Sequence, residues 1–205
     1  MLAKRFFEDL VLEKAPGPSP SFTVFDIIRV LDIIANTGSV GRGKLSEKLG
    51  FGEGATRTLL NRLTEAQLVS ISKIGCSLTA KGNKVWDKIK AVMPHKAELE
   101  KNELTFALHN VAVLVKGRGG KVKKGLEQRD AAVRAGAVGA TTLVFKDRRL
   151  VLPTVSVDVA KDYPKAFREI TRLMRPEEND VIIISSADDV KEAEKGALAA
   201  AWTVI

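Results

Sequence analysis

Two short helical patterns separated by Gly50-Phe51-Gly52 constrain this chain more than any other feature. They lie within GSVGRGKLSEKLGFGEGATRTLLNRLTEAQLVSISKIGCSLTAKG, which runs from Gly38 to Gly82. Glycines at the corner permit positive φ and hence a tight turn. Before the corner, a helix over 42–49 puts Leu45 and Leu49 on one face. After it, a helix over 53–67 puts Ala55, Leu59, Leu63 and Ala66 on a buried stripe. At 100° per residue, its opposite face carries Gly54, Arg57, Thr58, Asn61 and Glu65. Arginine, threonine and asparagine are side chains that read base edges. Gly52 and Gly54 let a phosphate approach the helix start, where free N–H groups point at it.

The flanks complete the pattern. Apolar residues at Val24, Ile27, Ile28, Leu31, Ile34 and Ala35 predict a helix over 22–36. VSISK, residues 69–73, alternates as a half-buried strand. Ile74-Gly75-Cys76 is the expected hairpin tip, and Ser77-Leu78-Thr79 returns. Thr79 then caps a helix to about residue 93, with Val85, Trp86, Ile89 and Val92 inward and Pro94 closing it. Upstream, residues 4–14 form an amphipathic arm through Phe6, Phe7, Leu10 and Val11. APGPSPS, residues 15–21, is a proline-rich hinge. Such an arm either packs on a partner subunit or frays.

The chain carries a net charge of +8 and a pI near 9.6, which favours an anionic partner, either nucleic acid or a membrane surface. No apolar run approaches the ~20 residues of a membrane span, and charges interrupt the N-terminal apolar residues, so neither a span nor a signal peptide is expected. The single cysteine, Cys76, excludes a disulfide framework and points to reducing cytoplasm. Cys76, His95 and His109 stand isolated from metal-ligand spacing, so no metal is expected, and no cofactor.

Residues 94–103 read as a polar, helical linker. Beyond it, 104–205 predicts strand, helix, strand, strand, helix, strand, helix. The strands fall at 104–116, 141–146, 150–157 and 180–185, and the helices at 126–135, 162–174 and about 190–201. The fold class is therefore α+β: an N-terminal winged helix-turn-helix domain over 22–93, after the 1–21 arm and hinge, and a small C-terminal α/β sandwich domain. KGRGGKVKKG, residues 116–125, holds four glycines and no acid. It is expected to be a flexible loop that takes an anion on backbone N–H groups and a helix start. Its ligand-binding candidates are Arg118, Lys121, Lys123 and Lys124, with Arg129 in the following helix. It matches neither nucleotide-binding fingerprint.

TRTLLNRLTEAQLVS followed by SLTAKGNKVW resembles winged helix-turn-helix transcriptional regulators. GSVGRGKLSEKLGFGEGATRTLL is similar to the N-terminal heads of bacterial sugar-responsive regulators of the central-glycolysis type. The resemblance implies that Thr56, Arg57, Thr58 and Asn61 lie near bases and Arg42, Lys44 and Lys73 near phosphates. The C-terminal half departs from the glycolytic regulators, whose effector domains are far longer. GLEQRDAAVRAGAVGATTLVFKD instead is similar to an archaeal family with a winged-helix head and a small α/β domain of unknown function. The expected protein is a homodimeric, DNA-binding transcription regulator whose C-terminal domain senses a small anionic metabolite, dimerises, or both. An enzyme is not expected, because Asp130, Asp158, Asp188 and Asp189 show no catalytic spacing. The alternatives are an enzyme carrying a nucleic-acid head and an RNA-binding or protein-docking module.

Overall fold

The helix-turn-helix order follows from where the leucines and isoleucines fall, and the computed structural model, which describes residues 4–12 and 22–205, contains it. The elements are α1 (Lys4–Leu12), α2 (Val24–Thr37), α3 (Arg42–Leu49), α4 (Glu53–Glu65), β1 (Val69–Ile71), β2 (Cys76–Leu78) and α5 (Ala80–Val92). Ile27, Leu31, Ile34, Leu45, Leu59 and Leu63 are fully buried between the helices. The chain divides into two units, residues 1–89 and 90–205.

Caps fix the ends of these helices. The Asp26 carboxylate accepts from the Thr23 amide at 2.9 Å and the Thr23 hydroxyl at 2.8 Å, closing the start of α2. Asp26 also pairs with buried Arg29, which donates to the Lys48 carbonyl at the end of α3 at 3.3 Å. A cation at a helix C-terminus is favoured by the macrodipole, so Arg29 holds α2 against α3. The Leu-Thr-x-x-Gly motif has an equally local cause. The Thr79 hydroxyl donates to the Gln67 carbonyl at 2.6 Å and accepts from the Gly82 amide at 3.0 Å. A Cβ on Gly82 would sit 2.0 Å from the Leu68 carbonyl oxygen, so only glycine lets α5 start there.

The wing is a short antiparallel pair, β1 with β2. Val40 adds a bridge to Cys76, its amide donating at 3.1 Å and its carbonyl accepting at 2.8 Å. Cys76 therefore belongs to the returning strand, and the turn lies one step earlier, where the Ser72 amide donates to Gly75 O and the Gly75 amide to Ser72 O. Gly75 has φ 139°, and a Cβ there would lie 2.8 Å from the Val40 carbonyl.

The arm is α1, a helix packed on its own unit rather than a frayed end. Phe7 and Leu10 are buried within the winged-helix unit. Arg62 of α4 donates to the Leu10 carbonyl at 2.9 Å. The proline-rich hinge expected at 15–21 falls outside the described residues.

In residues 90–205 a five-stranded sheet has the order β3-β4-β7-β5-β6, every neighbouring pair antiparallel. Its strands are β3 (Lys96–Leu99), β4 (His109–Val115), β5 (Gly139–Lys146), β6 (Arg149–Val151) and β7 (Val181–Ala187). The helices are α6 (Leu126–Arg134), α7 (Val159–Asp162), α8 (Pro164–Met174) and α9 (Val190–Val204). β7 is central and buried along its whole length, which is why VIIISSA shows no alternation. Ile182 and Ile184 face a core shared with Ala166, Ile170 and Met174 of α8. On the other face, a Cβ on Gly196 of α9 would lie 2.4 Å from Ser185 Oγ, so α9 lies directly on β7.

Four local expectations for this half change. Residues 94–103 hold the edge strand β3 in place of a helical linker; Leu99 is buried while Glu98 is exposed. The strand expected over 104–116 begins only at His109, because Asn102 Oδ1 accepts the Leu104 amide at 2.9 Å and turns the chain. The helix expected over 162–174 is two helices, since Pro164 starts α8 at its first turn and cannot continue α7. The hairpin return over 150–157 shortens to Arg149–Val151. No helix among the described residues is long and apolar enough to cross a membrane.

Candidate nucleic-acid interface

α4 begins at N-cap Gly52 and shows solvent the face that the 100° periodicity assigns: Gly54, Arg57, Thr58, Asn61 and Glu65 are all exposed. Buried Leu59, Leu60 and Leu63 hold the opposite side. An exposed helix of this width fits the major groove, about 12 Å wide. α4, the start of α3 and the wing together enclose an open cleft of about 370 Å³. Arg42, Arg57, Asn61 and Lys73 line it, so one concavity gathers two expected base-reading residues and two expected phosphate-binding ones. Arg57, Asn61 and Lys73 engage no partner among the described residues. Lys44 is exposed but lies outside this lining. Thr58 is exposed with its hydroxyl donating to the Gly54 carbonyl at 3.1 Å, which leaves its methyl and the oxygen's acceptor lone pairs uncommitted.

Thr56 does not belong to the interface. It is fully buried, and its hydroxyl donates to the Gly52 carbonyl at 3.2 Å. Thr56 and Leu63 stand seven apart, two helical turns, and so share the inward face. Arg62 likewise leaves the basic surface. It is 6% exposed, its guanidinium lies 5.3 Å from the Phe22 ring centroid, and it holds the end of α1.

The wing contributes residues that the alternation of VSISK did not single out. Ile71 is 55% and Ile74 85% exposed, and both line the cleft. Exposed isoleucines on a hairpin beside Lys73 are the signal that finds them. Cys76, deeper in the cleft, is a structural thiol. Burial pushes its pKa up, with Arg42 opposing, so it stays protonated near neutral pH. Glu53 in the first turn of α4 lines the cleft as well and is its one acid among the described residues.

The glycine loop at 116–125 is ordered, contrary to the expected flexible anion cradle. The Gly117 amide donates to Asp180 Oδ1 at 2.8 Å, the Gly119 amide to the Asn179 carbonyl at 2.7 Å and the Gly120 amide to Asn179 Oδ1 at 3.1 Å. The amides of Lys121 and Val122 close a 3-10 turn onto Arg118 and Gly119. Lys116 pairs with Glu177 at 2.6 Å and Asp180 at 3.5 Å, which raises its pKa. Carboxylate and amide groups some sixty positions away thus occupy the backbone donors of the expected cradle. Of the five side chains expected to bind a ligand, Arg129 pairs with Asp130 at 2.9 Å and Lys121 donates to the Ile205 carbonyl at 3.1 Å. Lys123 and Lys124 are exposed, and the half-buried Arg118 has its Nε without a partner.

Comparison with known proteins agrees with this division. Residues 26–93 match the CggR N-terminal DNA binding domain, and residues 106–204 match a domain of unknown function, DUF4443. The solved structure of a hypothetical protein from Pyrococcus horikoshii OT3 is similar along most of its length. It has a TM-score of 0.74 and 28% identity, covering 90% of this chain and 93% of that one. No curated protein matches. The chain thus joins a winged-helix DNA-binding domain of the CggR N-terminal kind, over residues 26–93, to a C-terminal domain of the DUF4443 kind, over residues 106–204.

Proposed function

We propose that this protein is a transcription regulator that binds duplex DNA as a homodimer, with α4 in the major groove and the wing against the adjacent backbone. The observation that carries this reading is the uncommitted chemistry of one cleft. Arg57, Asn61 and Lys73 are exposed and unpartnered among the described residues, whereas the arginines that serve the fold, Arg29 and Arg62, are buried. A dimer would present two α4 helices to half-sites about 34 Å apart, one turn of DNA. Dimerisation through the C-terminal domain is supported by Phe106, Leu108 and Val138, which are 60%, 76% and 55% exposed. Phe106 and Val138 meet at one end of the sheet, their amides donating to Ser186 Oγ and the Ser186 carbonyl. Exposed apolar side chains in one place mark an interface more often than an ordinary surface.

The same domain senses a small anion through Arg118, Lys123 and Lys124, the loop cations that the fold leaves uncommitted. Ligand binding would shift the population between DNA-competent and incompetent dimers. Equilibrium binding of the full chain to duplex DNA and duplex RNA across a salt series tests the central reading. Preference for DNA with a steep fall in affinity at higher salt is expected; equal or tighter binding to RNA contradicts it. Sedimentation equilibrium reads the dimer, and a monomer at micromolar concentration removes it. Calorimetric titration with inorganic phosphate and phosphorylated metabolites reads the sensing, and no heat from any of them removes that half.

A further inference from the structure

We propose that the solvent face of α8 is a second nucleic-acid surface, which grips the phosphate backbone of duplex DNA without reading sequence. Lys165, Arg168 and Arg172 are exposed along α8, and Arg175 at its C-cap is exposed as well. At 3.6 residues per turn the three helical cations fall within an arc of about 60°. Opposite them, Ala166, Ile170 and Met174 are fully buried in the sheet core. The apolar face of α8 is therefore spent inside the fold, which leaves nothing to insert into a lipid surface.

The cations outnumber the acids beside them. None of Lys165, Arg168, Arg172 or Arg175 takes part in an ion pair among the described residues. They border an open depression of about 410 Å³ in which Lys101, Lys165, Arg168 and Arg172 face only two acids, Glu100 and Glu169. Both Glu169 oxygens are engaged elsewhere: one accepts the Glu100 amide at 2.8 Å and the other Asn102 Nδ2 at 3.0 Å. Glu103 caps α8 by accepting the Ala166 amide at 3.0 Å and also feels the Lys165 charge.

The like charges work against helix stability. Arg168 and Arg172 are like charges four apart, and Lys165 and Arg168 three apart, spacings that disfavour a helix and that Glu169, four from Lys165 and three from Arg172, offsets only in part. Arg172 and Arg175 gain from the negative end of the helix dipole, but Lys165 and Arg168 lie in the first half, where the dipole disfavours a cation. A helix needing only solubility would alternate charge. Arginine-rich, unpaired positive charge along a straight edge is instead complementary to a row of phosphates, which guanidinium forks bind two oxygens at a time. The inference rests on duplex DNA being the partner of the winged helix, and it assigns the C-terminal domain a share of affinity rather than of specificity.

The test uses the full chain with Lys165, Arg168, Arg172 and Arg175 all changed to glutamine, beside Arg57→Ala and a charge-preserving variant in which the three arginines become lysine. Affinity for a preferred duplex and a random duplex is measured across a salt series, with the melting temperature of each variant. The glutamine variant is expected to lose about 10–100-fold on both duplexes and to flatten the log–log salt slope by about 3. Its melting temperature stays level or rises, and the lysine variant keeps most of the slope. An unchanged slope in the glutamine variant overturns the proposal, as does a lowered melting temperature with unchanged DNA affinity. Loss confined to duplex RNA also overturns it. If the glutamine variant loses affinity while Arg57→Ala binds both duplexes like the wild type, the base-reading assignment fails and this one stands; if the wild type binds no DNA, both fail.

Discussion

Arg62 donates to the Leu10 carbonyl at 2.9 Å across 52 positions of sequence. It also donates to the Val11 carbonyl, so one guanidinium closes the C-terminal end of α1. The same side chain lies over Phe22, just before α2. Arg62 therefore ties the arm to the winged helix. Replacing it with methionine keeps the bulk and leaves those carbonyls without a donor. The expected cost is about 2–3 kcal/mol of stability, read by urea denaturation. Base preference should not change.

Arg57, five residues earlier on the same helix, should behave in the opposite way. Arg57→Ala is expected to leave stability nearly unchanged and to lower affinity for a preferred site by about 1–3 kcal/mol. Binding to random duplex should be largely intact. Thr56→Ala changes stability without changing base preference, because Thr56 is buried and bonded to Gly52. Competition binding with specific and random duplexes separates the two residues.

Much of the head was legible because helical periodicity and glycine are local signals. The bounds of α3 match the expected 42–49, and the solvent face of α4 is the one that the spacing assigned. Periodicity also held the correction for Thr56, two turns from Leu63. What distinguishes Arg62 from Arg57 is not local. The carbonyls that engage Arg62 arrive from α1, more than fifty residues away. The glycine loop fails for the same reason: its amides look free until the Glu177–Asp180 turn is placed beside them. In the C-terminal half, Pro164 was a local signal for the α7–α8 break, whereas the β3 edge is defined only by its pairing with β4.

Gly82 carries a steric prediction. A Cβ would meet the Leu68 carbonyl oxygen at 2.0 Å, backbone that cannot step aside without moving β1. Gly82→Ala is expected to cost about 3 kcal/mol, measured by thermal or urea unfolding. A loss under ~1 kcal/mol would mean that α5 shifts freely at its start.

Glu103 sets an acid-side dependence. Its own amide, then those of Ala166 and Lys165 and the Lys165 charge, hold its pKa below the usual glutamate range against a push upward from burial. A depressed carboxylate adds stability above its unfolded pKa, near 4.3, and that contribution is lost as pH falls through the lower folded value. Stability of the wild type should therefore decline more between about pH 5 and 3 than that of Glu103→Gln. The effect is small because the side chain is exposed. Urea midpoints across that range check it, and parallel curves would rule it out.

The central claim is that the exposed face of α4 reads bases. Selection of bound sequences from a random duplex pool tests it most directly, run with the full-length wild type and with Asn61→Ala. The account predicts an enriched motif for the wild type and a loss of preference at one or two positions for the variant, with the remaining positions kept. No enriched motif, or the same motif unaltered by Asn61→Ala and by Arg57→Ala, would contradict it.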